Sequence, residues 1–150
     1  MLDNDSFILR KTATIIAVIV QVFALYLFFR GHNLPGGGFI AGVASATGVL
    51  LLVFANGRQV IRRICPFDPL RLCAWGLIIA FGTGLAGLAL GQPFLTHFHY
   101  KNPDFPLFGE LYLGTPLLFD LGVFLVVLGV VLKITFVFFQ TMDSETEEMQ

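Results

Sequence analysis

Gly31-His32-Asn33-Leu34-Pro35-Gly36-Gly37-Gly38-Phe39 forms a polar, glycine-packed break between two long apolar runs. Consecutive glycines cost backbone entropy, so they are kept where a chain must turn tightly or bring backbones close together. The runs on either side are long enough to cross a bilayer, which makes the break a hinge at a membrane boundary.

Composition supports that class. The 150 residues are 56% hydrophobic and 13% charged, with 17 Phe. A soluble domain of this size could not hide so much apolar surface, so a single membrane-integrated domain over 1–150 is expected. A net charge of −1 gives no electrostatic case for nucleic acid. Cys65 and Cys73 make neither a disulfide framework nor a metal set. Asp3 and Asp5 precede the first apolar run, with no small-residue cleavage site in evidence, so the start reads as a retained span rather than a signal peptide.

Four apolar blocks stand out, at 12–29, 38–55, 72–91 and 117–139. About 20 helical residues cross the hydrocarbon core, and each block approaches that length. Without strand alternation they must be helices, since only helices or closed barrels satisfy their backbones in lipid. Asp68-Pro69 predicts a capped start for the third helix and Thr115-Pro116 for the fourth, while Gly57 is placed to end the second. The expected fold is therefore all-α, with four transmembrane helices.

Orientation follows from the basic residues. Arg10, Lys11, Arg58, Arg62, Arg63 and Arg71 fall on one side, against Arg30 and Lys101 on the other. The positive-inside rule then puts both termini and the 57–71 loop in the cytoplasm, with the hinge and the 92–116 loop outside. Cytoplasmic cysteines would be reduced thiols. The acidic tail over 143–150 reads as a solvated, frayed end. In the external loop, 96–100 and 110–112, flanked by Pro93, Pro103, Pro106 and Gly114, have the composition of a short hairpin.

Small residues recur at helical spacing in the middle spans. Gly38, Gly42 and Ala46 form one stripe, with Ala41 and Ser45 alongside; Gly76, Ala80, Gly84, Gly87 and Gly91 fall close to a second. Such stripes let helix backbones approach closely, because lipid supplies no hydrophobic drive for helix association. Two readings stay open: the second and third helices pack on each other, or the stripes dock other subunits.

Three polar residues lie inside the spans. Gln21 is near the bilayer centre, where its amide needs an interhelical hydrogen bond or a place beside an ion path. Asp120 lies about one turn into the fourth span, as an ion-proximal group or a partner for a neighbouring helix. Lys133 is about 9 Å of helix from Phe139, a distance a lysine stem partly covers. It either snorkels or meets an acidic group of a partner. Asp120 and Lys133 are about 20 Å apart along one helix and cannot neutralise each other.

Catalysis and cofactor binding find no support. No nucleophile, base and orienting group occur in motif spacing. Gly36-Gly37-Gly38 is followed by Phe39 rather than the Lys-Ser/Thr of a phosphate-binding loop. His97 and His99 lack a third metal ligand nearby, and His32 reads as a turn or interface hydrogen-bonder. No cofactor, metal or enzymatic activity is expected.

Gly31-His32-Asn33 with Pro35-Gly36-Gly37-Gly38-Phe39 resembles the signature of the MrpB (MnhB) subunit of the Mrp-type multisubunit sodium/proton antiporter. Pro93-Phe94-Leu95-Thr96-His97, the block Leu118-Phe119-Asp120-Leu121-Gly122-Val123 and Gly129 extend the likeness over residues 7 to 140. The resemblance implies a four-helix accessory subunit in a prokaryotic plasma membrane, with MrpA, MrpC, MrpD, MrpE, MrpF and MrpG as partners. It implies that the complex uses the proton gradient to expel sodium, with the proton channels in the larger subunits. The alternative is the equivalent subunit of an Mrp-like sodium module in a membrane-bound hydrogenase or related respiratory complex; a stand-alone structural or small channel protein is a third. Lys133 is not part of the family pattern. On this reading Gly31, His32, Pro35, Gly36, Gly37, Gly38, Phe39, Gly42, Ala46, Gly76, Ala80 and Gly84 are hinge or interface residues. Asp120, Gln21 and Lys133 are the candidate ion-path groups.

Overall fold

The structure is a computed structural model and describes residues 2–30, 36–57, 68–89, 91, 93, 99–101 and 112–148, with side chains at 7–30, 36–57, 68–89, 91, 93 and 114–141. Its elements are α1 (Leu2–Arg30), α2 (Gly38–Asn56), α3 (Pro69–Ala89), β1 (His99–Lys101), β2 (Tyr112–Gly114) and α4 (Thr115–Glu148). Four segments are long and apolar enough to cross a membrane: Phe7–Arg30, Gly38–Asn56, Pro69–Ala89 and Thr115–Thr141.

Local chemistry sets the helix ends. The Asp68 side chain accepts a hydrogen bond from the Leu70 amide at 3.0 Å, and its carbonyl accepts from Arg71 at 2.9 Å, so Pro69 opens α3 as expected. Gly57 ends α2 at φ +80°, donating its amide to the Val53 carbonyl. α3 stops at Ala89 rather than 91, because Gly91 takes φ +72° and donates back to Leu88. α1 and α4 are longer than the apolar blocks. No glycine or proline interrupts 2–11 or 140–148, so α1 starts at Leu2 and α4 runs to Glu148. The backbone over 143–148 is thus helical, where a frayed tail was expected.

The helices form a row in the order α1, α2, α4, α3. This corrects the pairing expected of the middle spans: α2 and α3 take opposite flanks of α4 rather than each other. The reason is glycine on the partner. A Cβ on Gly76 would meet the Gly122 carbonyl at 2.7 Å, and one on Gly129 would meet the Pro69 carbonyl at 2.9 Å. α3 therefore lies backbone to backbone along Gly122 and Gly129, while the Gly38 and Gly42 surface of α2 is taken up by Asp120, Phe124 and Val127 on the other flank of α4. Within the row, α2 is the most enclosed helix. Of its apolar window 44% is buried, against 17–22% for the other three.

β1 and β2 pair antiparallel, with His99 opposite Gly114 and Lys101 opposite Tyr112. The expected strand pair is present among the described residues, and it extends to Lys101 and Gly114 rather than to 100 and 112. β2 runs without a break into α4, so Gly114 is a strand residue rather than a flanking turn. Thr96, His97 and Glu110 lie outside the described residues.

A direct check is overpacking at the α3–α4 contact. Gly122→Val should destabilise the protein by about 1–3 kcal/mol or more, since the added atoms meet Gly76 and Ala80 backbone. Gly82→Ala, where a Cβ meets nothing within 4 Å, should leave the melting midpoint in mild detergent unchanged or raised.

Candidate functional site: the glycine turn and Asp120

The turn into α2 and the first turns of α4 form one packed unit. Gly37 has φ +92° and ψ −178°, a conformation essentially confined to glycine. Its amide donates to the Leu27 carbonyl at 3.1 Å, satisfying one of the carbonyls that the end of α1 leaves unpaired. Its carbonyl accepts from Ala41, so the same residue closes α1 and opens α2.

Asp120 packs directly on this turn. A Cβ on Gly37 would lie 3.3 Å from Asp120 Oδ2, and a Cβ on Gly38 would overlap the Asp120 backbone carbonyl. The carboxylate thus sits beside the N-terminal end of α2, where the helix dipole is positive. That placement stabilises by about 0.3–1 kcal/mol when exposed and up to ~2 when partly buried. Asp120 is half-buried. One turn along, Gly42 faces Phe124 and Val127 of α4, and Ala46, Val49 and Val53 continue the buried face toward Leu132.

The other face of α2 holds α1. Gln21 Nε2 donates to the Ser45 carbonyl at 3.0 Å, while Ser45 Oγ donates to Gln21 Oε1 at 2.8 Å. Gly48 beside it admits Val20 and the Ala17 carbonyl. Both ends of the Gln21 amide are therefore engaged between helices. Ser45 is the residue that completes the pair, and the sequence carries a faint signal for it. Gln21 and Ser45 stand at similar distances on either side of the hinge, where an antiparallel turn brings residues together.

The structure does not gather all the predicted polar residues. Asp120 lies at the hinge end of α4, Gln21 in the middle of α1 and Lys133 toward the far end of α4. Gly36 belongs to the turn and Phe39 to the first turn of α2, where it is 62% exposed; Gly31, His32 and Pro35 lie outside the described residues. Gly76 and Ala80 meet Gly122 and Val126, and Gly84 is buried on α3. The small-residue faces are thus largely covered within the chain. Ile15, Ile19 and Val22 of α1 and Trp75, Ile78 and Phe81 of α3 are more than half exposed. A cleft of about 400 Å³ lies between α1 and α4, lined by Gln21, Ala24, Leu25, Phe28, Leu121 and Phe124 among others. Phe28 and Phe124 meet edge-on across it at 5.8 Å. Its walls are apolar, so it suits hydrocarbon better than a bare cation.

The turn and the Asp120 block, separate in sequence, are contiguous in space, and comparison with known proteins finds both in one family. Residues 8–133 match the domain related to the MnhB subunit of the Na+/H+ antiporter. The chain belongs to the MnhB family. Similar proteins include the B-type subunit of the Na(+)/H(+) antiporter of Alkalihalophilus pseudofirmus, 41% identical over 89% of this chain and 92% of that protein. The Bacillus subtilis protein of the same name is 37% identical over 87% and 91%. The A/B-type subunit of a probable K(+)/H(+) antiporter of Rhizobium meliloti is 40% identical over 74% of this chain, which covers 11% of that longer protein. Among solved structures, a chain of the Mrp complex from Dietzia sp. DQ12-45-1b matches with a TM-score of 0.72 and 32% identity. That match covers 87% of this chain and 14% of that one.

In this MnhB-family chain the Gln21–Ser45 pair should behave as a packing device. A double-mutant cycle with Gln21→Ala and Ser45→Ala, read by unfolding in mild detergent, should give a coupling of about 0.6 kcal/mol and no more than ~1.7, the average and the maximum for hydrogen bonds between membrane helices. Additive effects would show that the pair contributes nothing.

Proposed function

We propose that this protein is the B-type accessory subunit of a multisubunit sodium/proton antiporter of the Mrp type. One observation carries the reading. Similarity to the B-type component of a named Na(+)/H(+) antiporter runs through 89% of this chain and 92% of that protein, so the likeness is to nearly all of that component and not to a shared segment. The open row of helices supports it, since α1, α3 and α4 leave most of their apolar surface to other components. With four spans, both termini emerge on one side. The excess of Arg and Lys at that end supports a cytoplasmic placement in a prokaryotic plasma membrane. The hinge and hairpin then face outward.

On this reading the chain catalyses no chemistry of its own, and its partners are the other antiporter subunits, the larger of which carry the proton channels. Among the ion-path candidates Asp120 is favoured. It places a carboxylate at the outer end of the subunit, beside the turn, where an arriving or departing cation would pass. Gln21 is already committed to Ser45. The Rhizobium meliloti relative supports a second reading of the cargo, in which potassium replaces sodium as the cation exchanged for protons.

The test is cation/proton exchange in everted vesicles containing the assembled complex. Asp120→Asn keeps the shape and removes the charge; it should assemble but show a clearly weaker apparent affinity for sodium or a slower rate. Unchanged rate and affinity would make Asp120 a structural residue only. Running the same assay with potassium separates the two cargo readings.

A further inference from the structure

We propose that Lys133 is the contact point for a carboxylate on a membrane helix of a neighbouring subunit, an inference that rests on the multisubunit reading above. Lys133 lies within the apolar segment Thr115–Thr141 of α4. It is half-buried, its amine 6.0 Å from the Phe136 ring centroid, and among the described residues it makes no ion pair or hydrogen bond.

The register of the helices explains why the chain leaves this amine unpaired. α2 stays beside α4 as far as the Phe54–Phe139 ring contact at 5.9 Å. α3, in contrast, begins at Pro69, which meets α4 at Gly129. The two helices therefore end about 15 Å apart along α4. Lys133 is one turn beyond Gly129 on that same flank, where α3 has not yet begun. Asp68, the nearest acid by register, caps α3 through the Leu70 amide and, among the described residues, makes no ion pair. Residues 58–67 contain no Asp or Glu, and the first acid farther along α4 is Asp143, about 15 Å on.

An unpaired ammonium inside the membrane calls for a counter-charge. Helix side chains leave the backbone tilted toward the N-terminus, so Lys133 starts toward the membrane interior, away from the nearer, C-terminal edge. Phe136, whose ring centroid is 6.0 Å from the amine, and the exposed Val137 stand on the same flank on the way to that edge. Reaching a lipid phosphate would mean bending the stem back past them. A carboxylate on a spanning helix meets the amine at its own depth, and such a pair also rejects a partner with the wrong charge.

The experiment is affinity purification of the complex in mild detergent through a tag on this chain, comparing wild type with Lys133→Arg, Lys133→Gln and Lys133→Glu. Lys133→Arg should retain every neighbour. Lys133→Glu should lower recovery of one neighbouring subunit about tenfold or more, and an Asp/Glu→Lys change in that subunit should restore it. If the Lys133→Glu chain fails to accumulate, Lys133→Gln, which adds no repulsion, is read instead and should show a partial loss. Wild-type subunit ratios in the variants would overturn the proposal, as would retention of all subunits with loss of bound anionic phospholipid. A wild-type chain that brings down no other subunit would instead sink the multisubunit reading itself.

Discussion

The fold depends on how closely helix backbones approach α4. In lipid, apolar side chains gain nothing by leaving one hydrocarbon surface for another, so helices associate through close packing and interhelical hydrogen bonds. Here the approach is set by glycine on one or both helices at each contact. Gly38 and Gly42 let α2 reach Asp120 and Phe124, and Gly76 lies on Gly122 while Pro69 lies on Gly129. α4 is held along two flanks by these contacts, and α1 is attached through α2 by the Gln21–Ser45 pair.

The consequence is an open row rather than a closed bundle. Each glycine contact brings two helices together along a line, and the large side chains are left pointing outward. Ile15, Ile19 and Val22 on one outer helix and Trp75, Ile78 and Phe81 on the other are more than half exposed. Such surfaces suit lipid, and the multisubunit reading proposed above gives them a second use, as faces on which other subunits complete the packing. The turn at Gly37 serves both ends of this scheme. It closes α1, starts α2 and seats the Asp120 carboxylate at the hinge end of the row.

Much of this was readable from the residues. Long apolar runs fixed the number of helices, and Asp68-Pro69 and Gly57 marked ends where the structure has them. The hinge glycines announced a close approach, but not to what. That information lies in Gly122 and Gly129, whose spacing in α4 is the counterpart of the small residues in α3. Two glycine-bearing surfaces in the middle spans suggested a pair, yet each found its partner in the fourth helix. The Gln21 partner was missed because Ser45 reads as one more small residue of its stripe, and only its distance from the hinge sets it opposite Gln21. The α3 register, which leaves Lys133 uncovered, is set by packing between residues far apart in the chain and has no local signature. The second strand extends two residues past 112 because Gly114, which looks like a turn residue, ends a strand that continues into α4.

The central claim is that this row is an unfinished surface completed by other subunits. Photo-cross-linking from probes placed at Ile19 on α1 and Ile78 on α3, in native membranes, tests it most directly. Both positions are exposed in the isolated chain, at 62% and 60%. The account predicts an adduct with another membrane subunit from at least one of them. Adducts with lipid alone from both positions would contradict it.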